Sequence, residues 1–273
     1  MPLMDEFKAE REDMKKAPFK KKAEYFWEYY KWWVIGIVIA VVAIFLTVRS
    51  IVTHKADAIY VALINSVEIE GANPQDSIAT PFLEEHDIST KKNRIHFNTD
   101  LRMNISSSSH VGANTLPDTY TDYVSITNSA TARQNLSVFI AAGTVDLMIC
   151  SENWFDEYGY GSFFLSLDEV LTAEELEKYS DNLYYLDGAV VERYAEAGNK
   201  MNYDYDEKFP DPYDLDAMEK PVAMGLIVDE SNLIAYNFAF ATEAKGDKIV
   251  IGVIANGKNP ELTHDFIIRL MNK

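Results

Sequence analysis

Between Trp32 and Val48 the chain reads WWVIGIVIAVVAIFLTV without a charge, and beyond Arg49 the apolar pair Ile51 and Val52 continues the run. Carried to Val52 it is about 21 residues long, or about 31 Å of helix at about 1.5 Å per residue, a match for a hydrocarbon core of about 30 Å. Downstream the pattern changes to short apolar runs broken by polar turns. DAIYVALINSV, Asp57 to Val67, is rich in β-branched and aromatic residues and predicts a first strand; RIHFNTDLRM, Arg94 to Met103, predicts a second. Tyr120, Tyr123, Val124, Ile126, Leu136, Phe139 and Ile140 predict a helix over 119–142 that stops at Gly143. A buried strand follows from Val145 to Cys150. Leu167-Asp168-Glu169 and Thr172-x-x-Glu175 are helix-start signals, the second with capping-box spacing. Met224 to Val228 and Lys248 to Ala255 predict further strands, and Pro260 after Asn259 opens a terminal helix to Met271. Strands alternating with helices predict an α/β sheet with parallel portions.

The flanks of the long run decide what it is. AEYFWEYYKWW places Tyr25, Phe26, Trp27, Tyr29, Tyr30, Trp32 and Trp33 just before it, and such amphipathic rings suit the head-group layer. Lys8, Arg11, Lys15, Lys16, Lys20, Lys21, Lys22 and Lys31 precede the run, whereas only Arg49 and Lys55 follow it before residue 56. The positive-inside bias therefore divides the chain into a cytoplasmic basic segment (1–31), a transmembrane helix (32–52) and an acidic extracytoplasmic domain (57–273). The expected location is the cell membrane, single-pass, with the N-terminus cytoplasmic and the C-terminal domain extracellular. A buried core helix would not carry a lysine cluster on one side and an aromatic girdle on the other. A cleaved signal peptide is the competing reading, because Ala56 and Ala58 form an A-x-A pattern, but the run is longer than a usual signal core. Ahead of the span, the residues up to Pro18 predict a short helix, then a basic stretch lying against anionic lipid.

Charge narrows the partners. The formal net charge is -18, and the first 55 residues carry roughly +3, which leaves about -21 for the rest. A domain this acidic repels nucleic acid and anionic head groups, so no nucleic-acid partner is expected. Cys150 is the single cysteine, so no internal disulfide forms; in the run VDLMIC it reads as a small buried hydrophobe.

Sequence motifs for chemistry fail on inspection. Gly252 to Asn259, GVIANGKN, approaches the P-loop pattern, but Asn259 replaces the hydroxyl that holds magnesium and Gly252 falls inside a predicted strand. The acidic run 202–216 has Asp204 and Asp206 at calcium-loop positions, yet Glu207 stands where the turn requires glycine; an irregular calcium site and a solvated loop are the two readings. His54, His86, His96, His110 and His264 are scattered without ligand spacing, and neither G-x-S-x-G nor H-E-x-x-H occurs. These residues predict no catalytic site, no metal and no cofactor.

Two long segments and one short one resemble a known family. FIAAGTVDLMICSENWFDEYGYGSFFLSLDEVLTAEEL, Phe139 to Leu176, KIVIGVIANGKNPELTHDFIIRLM, Lys248 to Met271, and PVAMGLIVDES, Pro221 to Ser231, are similar to stretches of class II extracellular solute-binding proteins. The resemblance implies a periplasmic-binding-protein-like (type II) α/β domain, with a reduced second lobe given its length, tethered by a membrane helix in place of a lipid anchor. It implies a ligand cleft at the carboxyl ends of strands, here Asn65-Ser66, Asp100 and residues 151–158. Asn65 and Asn153 would then give hydrogen bonds, and Trp154 and Tyr158, with Phe155 and Tyr160, an apolar wall; the competing reading packs these rings beneath the loop. The Ser-rich loop from Ser106 to Ser109 is either a closing loop or a connector. The implied role is capture of a small solute, sugar or peptide, for an ABC transporter permease or a sensor. The alternative is a ligand-free interaction or scaffold module of a cell-envelope complex.

Overall fold

The computed structural model describes residues 18–103, 110–111, 126–197, 209–229, 232–242 and 246–272. The chain falls into two compact units, Met1–His54 and Lys55–Lys273. Among the described residues the first contains one helix, α1 (Phe19–Thr53), 35 residues long. Its stretch Tyr30–Ser50 has a mean hydropathy of 2.4 over its most apolar window, and none of that window is buried. Trp32 and Trp33 are each 74% exposed, and Ile37 and Phe45 about as open. A helix apolar on every side finds a matching solvent only in a protein core or in lipid, and this one is long and apolar enough to span a membrane.

The second unit opens with β1 (Ala56–Ile64), which turns at Asn65 into β2 (Ser66–Glu68). A π-helical turn, Gln75–Ala79, leads into α2 (Thr80–Glu85), and β3 (Asn93–Leu101) returns parallel to β1. The short β4 (His110–Val111) and α3 (Ile126–Ala141) precede β5 (Leu147–Ser151), which lies parallel to β1 on its other side. Then come α4 (Glu152–Tyr160), α5 (Leu167–Val170), α6 (Ala173–Lys178), β6 (Leu183–Asp187) and α7 (Gly188–Ala197). The remaining elements are β7 (Pro221–Ile227), α8 (Leu233–Asn237), β8 (Phe238–Thr242), β9 (Ile249–Val253) and α9 (Pro260–Met271). The main sheet has six strands in the order β3-β1-β5-β9-β7-β6, parallel across the first three and antiparallel from β5 onward. A small antiparallel sheet has the order β2-β8-β4.

Alternation along the strands explains the layering. In β1, Ile59, Val61 and Leu63 enter one core with Ile78 and Phe82 near α2 and with Phe266, Ile267 and Leu270 of α9. Tyr60, Ala62 and Ile64 enter a second core with Leu136 and Ile140 of α3 and Trp154 and Phe155 of α4. Because successive side chains point to opposite faces, a continuously apolar strand such as β1 or β5 must be covered on both. The result is an α/β fold with helices on both sides of a mixed sheet. Cys150 belongs to the second core, and burial, with the Asp156 charge, pushes its thiol well up.

Several sequence expectations change in detail. The first predicted strand is two, because Asn65 adopts a left-handed φ of 52° and sends the chain from the main sheet into the small one. The helix predicted over 119–142 is described from Ile126; its earlier residues, the loop Ser106–Ser109 and residues 202–208 of the acidic run 202–216 lie outside the described residues. Gly143, at φ 61°, closes α3 as expected: its N–H donates to Ile140 O and the next N–H to Phe139 O. The second start signal is a complete capping box, in which Thr172 Oγ1 accepts from the Glu175 N–H and the Glu175 carboxylate accepts from the Thr172 N–H. Residues 152–160, read as loop, form α4.

Candidate functional site

Two places in the domain carry candidate chemistry. The first is the carboxyl end of the parallel strands, where Asn65 and the first turn of α4, with Asn153 and Trp154, lie; Tyr158 stands a full turn further along α4. β1 and β5 pair as far as Leu63 and Ile149, and Asn65 and Ser151 each stand two residues beyond. Asn65 is 1% exposed; its Oδ1 accepts from the Met103 N–H at 2.6 Å and its carbonyl from the Ala241 N–H at 2.9 Å. It therefore holds the corner between the two sheets. Asn65 Nδ2 and Ser151 Oγ are buried with no hydrogen-bond partner among the described residues. Asn153 is exposed on the first turn of α4. Trp154 and Tyr158 are 4% and 6% exposed and belong to the second core. The Arg133 guanidinium covers the Trp154 ring at 4.6 Å and pairs with Glu157. Burial, with the Glu157 charge, pushes the Tyr158 hydroxyl upward. As placed, the aromatic rings fill the interior beside α3 rather than an open wall.

Residues 252–259, the near-match to a P-loop, serve as structure. Gly252 lies in β9 opposite Gly225 of β7, and a Cβ on Gly252 would sit 2.7 Å from the rings of both Phe155 and Phe164. Those rings stack at 4.4 Å, so glycine at 252 and 225 opens a window in the sheet for them. The Lys258 N–H donates to Asp146 Oδ1 at 2.8 Å and the Gly257 N–H to Ile254 O. Donors that would cradle a phosphate are thus engaged by the protein.

The second place is an open groove of about 810 Å³ bounded by α2, α6, α8 and α9. Phe82, Leu233 and Ile268 give it an apolar floor, and Tyr236, 64% exposed, stands at its edge. Its rim is charged: Glu85, His86, Glu175, His264, Asp265 and Arg269. A smaller hollow of about 400 Å³ adjoins it, shares His264 and Asp265, and adds Glu169 and Glu261. Across the groove runs a chain of contacts. Glu175 Oε2 lies 3.1 Å from His264 Nε2, His264 Nδ1 lies 2.9 Å from Asp265 Oδ1, and Asp265 Oδ2 lies 3.2 Å from His86 Nε2. Arg269 donates to Glu85 at 2.7 Å.

The electrostatics follow from these contacts. Partial burial pulls the His264 pKa down, but its bonds to Glu175 and Asp265 outweigh that and leave it raised above 6.5. Asp265 is held below the usual carboxylate range first by its bond to His264 and then by the one to His86, against some burial. Glu175 is also lowered: burial opposes ionisation, but the Thr172 N–H and His264 prevail. Elsewhere, on α4, burial pushes the Asp156 carboxyl up to about 7; a hydrogen bond from Tyr184 opposes the shift and the charge of Glu152 adds to it.

Every ring nitrogen of the groove's two histidines faces an oxygen acceptor, since His86 Nδ1 lies 2.9 Å from Phe82 O. Among the described residues these nitrogens face carboxylate oxygens or, at His86 Nδ1, a backbone carbonyl. Among the described residues no group of three or more His, Cys, Asp or Glu side chains is arranged to hold a metal ion. Reading the sequence missed this array because its members come from residues 86, 175 and 264–269, and only the helix-start at Thr172 and the terminal helix hinted at the elements that carry them. No protein-family model matches the chain, and no curated protein or solved structure matches it either.

Proposed function

We propose that this chain is a single-pass, membrane-anchored binding protein whose acidic domain faces outward and captures a small peptide-class solute for a transporter or sensor partner. The observation that carries the reading is the groove of about 810 Å³, whose volume is that of a small-molecule site. Its apolar floor of Phe82, Leu233 and Ile268 suits a side chain. Its rim offers carboxylates and an arginine together, which suits a solute bearing both an amine and a carboxylate. The resemblance of the segments at 139–176 and 248–271 to class II extracellular solute-binding proteins, which implies a cleft at the strand ends and not this groove, supports the binding class, and the helix Tyr30–Ser50 with its lysines on one side supports the anchor.

The test is a thermal-shift screen of the full chain in detergent micelles against libraries of short peptides, amino acids and sugars. A solute at about 100 times its Kd adds about 2.7 kcal/mol, which appears as several degrees of melting temperature. The Tyr236→Asp variant changes a largely exposed side chain at the groove's edge and is expected to abolish that shift. A library without a single hit would end the capture reading and favour the ligand-free interaction module.

A further inference from the structure

We propose that proton binding at His264 works a clamp across the groove, so that pH governs how firmly α2, α6 and α9 are held around it. The proposal regulates the site assigned above and rests on that reading for its purpose, although its test requires no solute.

The argument begins with hydrogens. A neutral imidazole has one N–H, yet both ring nitrogens of His264 face carboxylate oxygens, Glu175 at 3.1 Å and Asp265 at 2.9 Å. With one hydrogen, one of the two contacts sets a nitrogen lone pair against an oxygen lone pair. Only the imidazolium satisfies both. Asp265 in turn uses its second oxygen on His86, which follows α2. One proton on His264 therefore joins Glu175 of α6 to Asp265 of α9, and Asp265 extends the line to His86 at the end of α2 in the tautomer whose hydrogen sits on His86 Nε2, with Nδ1 facing Phe82 O.

The surrounding charges favour that proton. From α9 the cluster receives Glu261, Asp265 and Arg269; from α6, Glu175; from α5, Glu169; from α2, Glu85 and the adjoining His86; α8 adds the Tyr236 hydroxyl. Arg269 is committed to Glu85, and Lys178 at the end of α6 to Asn272. With Arg269 and Glu85 set aside as a pair, the carboxylates of Glu169, Glu175, Glu261 and Asp265 outnumber the remaining cation of this set, Lys178. The sign is fixed by the direction of the shift. A histidine whose folded pKa lies above 6.5 contributes its full stabilisation below that value and loses it as pH rises through the folded pKa. The clamp is closed in mildly acidic solution and open in alkaline solution.

Hydrogen exchange on the full chain in micelles, followed from pH 5.5 to 8.5 and corrected for the intrinsic pH dependence of exchange, reads the clamp directly. Protection of residues 260–271 and 173–178 is expected to fall severalfold as His264 deprotonates. His264→Gln is expected to lack the step and to show the alkaline level throughout. Glu175→Gln, which keeps the titrating ring but removes one carboxylate, is expected to move the midpoint to lower pH. A flat wild-type profile, or a step that survives in His264→Gln, overturns the proposal. Should His264→Gln not fold, an unmoved midpoint in Glu175→Gln overturns it equally. A step without any solute hit leaves the clamp standing and removes the capture reading; a solute hit without a step does the reverse.

Discussion

Replacing Asp187 is expected to unfasten the seam between β6, α7 and β7. The side chain is 3% exposed and accepts three backbone N–H groups: Ala189 at 2.9 Å, Glu219 at 2.9 Å and Lys220 at 3.1 Å. The first is the N-terminal cap of α7, where Asp187 immediately precedes Gly188. The other two belong to the approach to β7, which begins with Pro221, a residue with no N–H to offer the ladder. Asp187→Ala leaves all three donors without their acceptor. A lost cap costs about 1 kcal/mol and each hydrogen bond to a charged group about 1.5–3 kcal/mol, and access of water to the opened seam returns part of this. A net loss of about 3 kcal/mol is expected, or about 6–12 °C at the 2–4 °C per kcal/mol typical of a domain this size. Asp187→Asn keeps one oxygen and should lose about half as much. The pH dependence gives a second handle. Burial works against the carboxylate, but the N–H donors hold its pKa below 3.8, so its contribution is present above 3.8 and fades as pH falls through the folded value. Thermal melts of the full chain, followed by near-ultraviolet circular dichroism at pH 7 and at pH 2.5, measure both. An Asp187→Ala melting point within about 2 °C of wild type at pH 7, or a deficit just as large at pH 2.5, would refute the reasoning.

Two further substitutions probe the second core. Gly252→Ala places a methyl 2.7 Å from two rings already stacked at 4.4 Å, so neither can retreat freely; a loss of about 1–3 kcal/mol is expected by chemical denaturation, and Phe164→Leu in the same chain should recover part of it. Asp156→Asn is expected to stabilise the protein at pH 8 and not at pH 4: the folded carboxyl is raised from 3.8 to about 7, so the wild type loses stability as pH climbs through that interval, by about 2–4 kcal/mol, and the variant does not. Equal pH profiles for the two proteins would contradict the burial assigned to Asp156.

What could be read from the residues alone was whatever is written locally. The long apolar helix, the capping box at Thr172, the Gly143 stop and the Pro260 start are each set by neighbours within a few positions, and each stands in the structure at or near its predicted place. Strands β1 and β5 were legible because a strand covered on both faces is apolar without interruption. α4 was not: with Gly159 in its last turn it lacks a strong helix signature, and Trp154, Phe155 and Tyr158 at helical spacing are the same residues that read as a cleft wall. β8 was also missed, since FAFAT is five residues long and its partners, β2 and β4, are shorter still. The groove lies at the far end of this scale. His86 and Asp265 meet across 179 residues and His264 and Glu175 across 89, and no local rule links either pair. Histidines scattered by number become a connected line only once the parallel β1 and β3 have set α2 between them and α9 has packed Phe266 against Phe82 at 4.9 Å. The apolar contact therefore comes first in the logic of the site. Burying Phe82 and Phe266 positions the two helices, and the polar residues beside them, Glu85 and His86 at the end of one and Asp265 and Arg269 on the other, are brought within reach as a consequence.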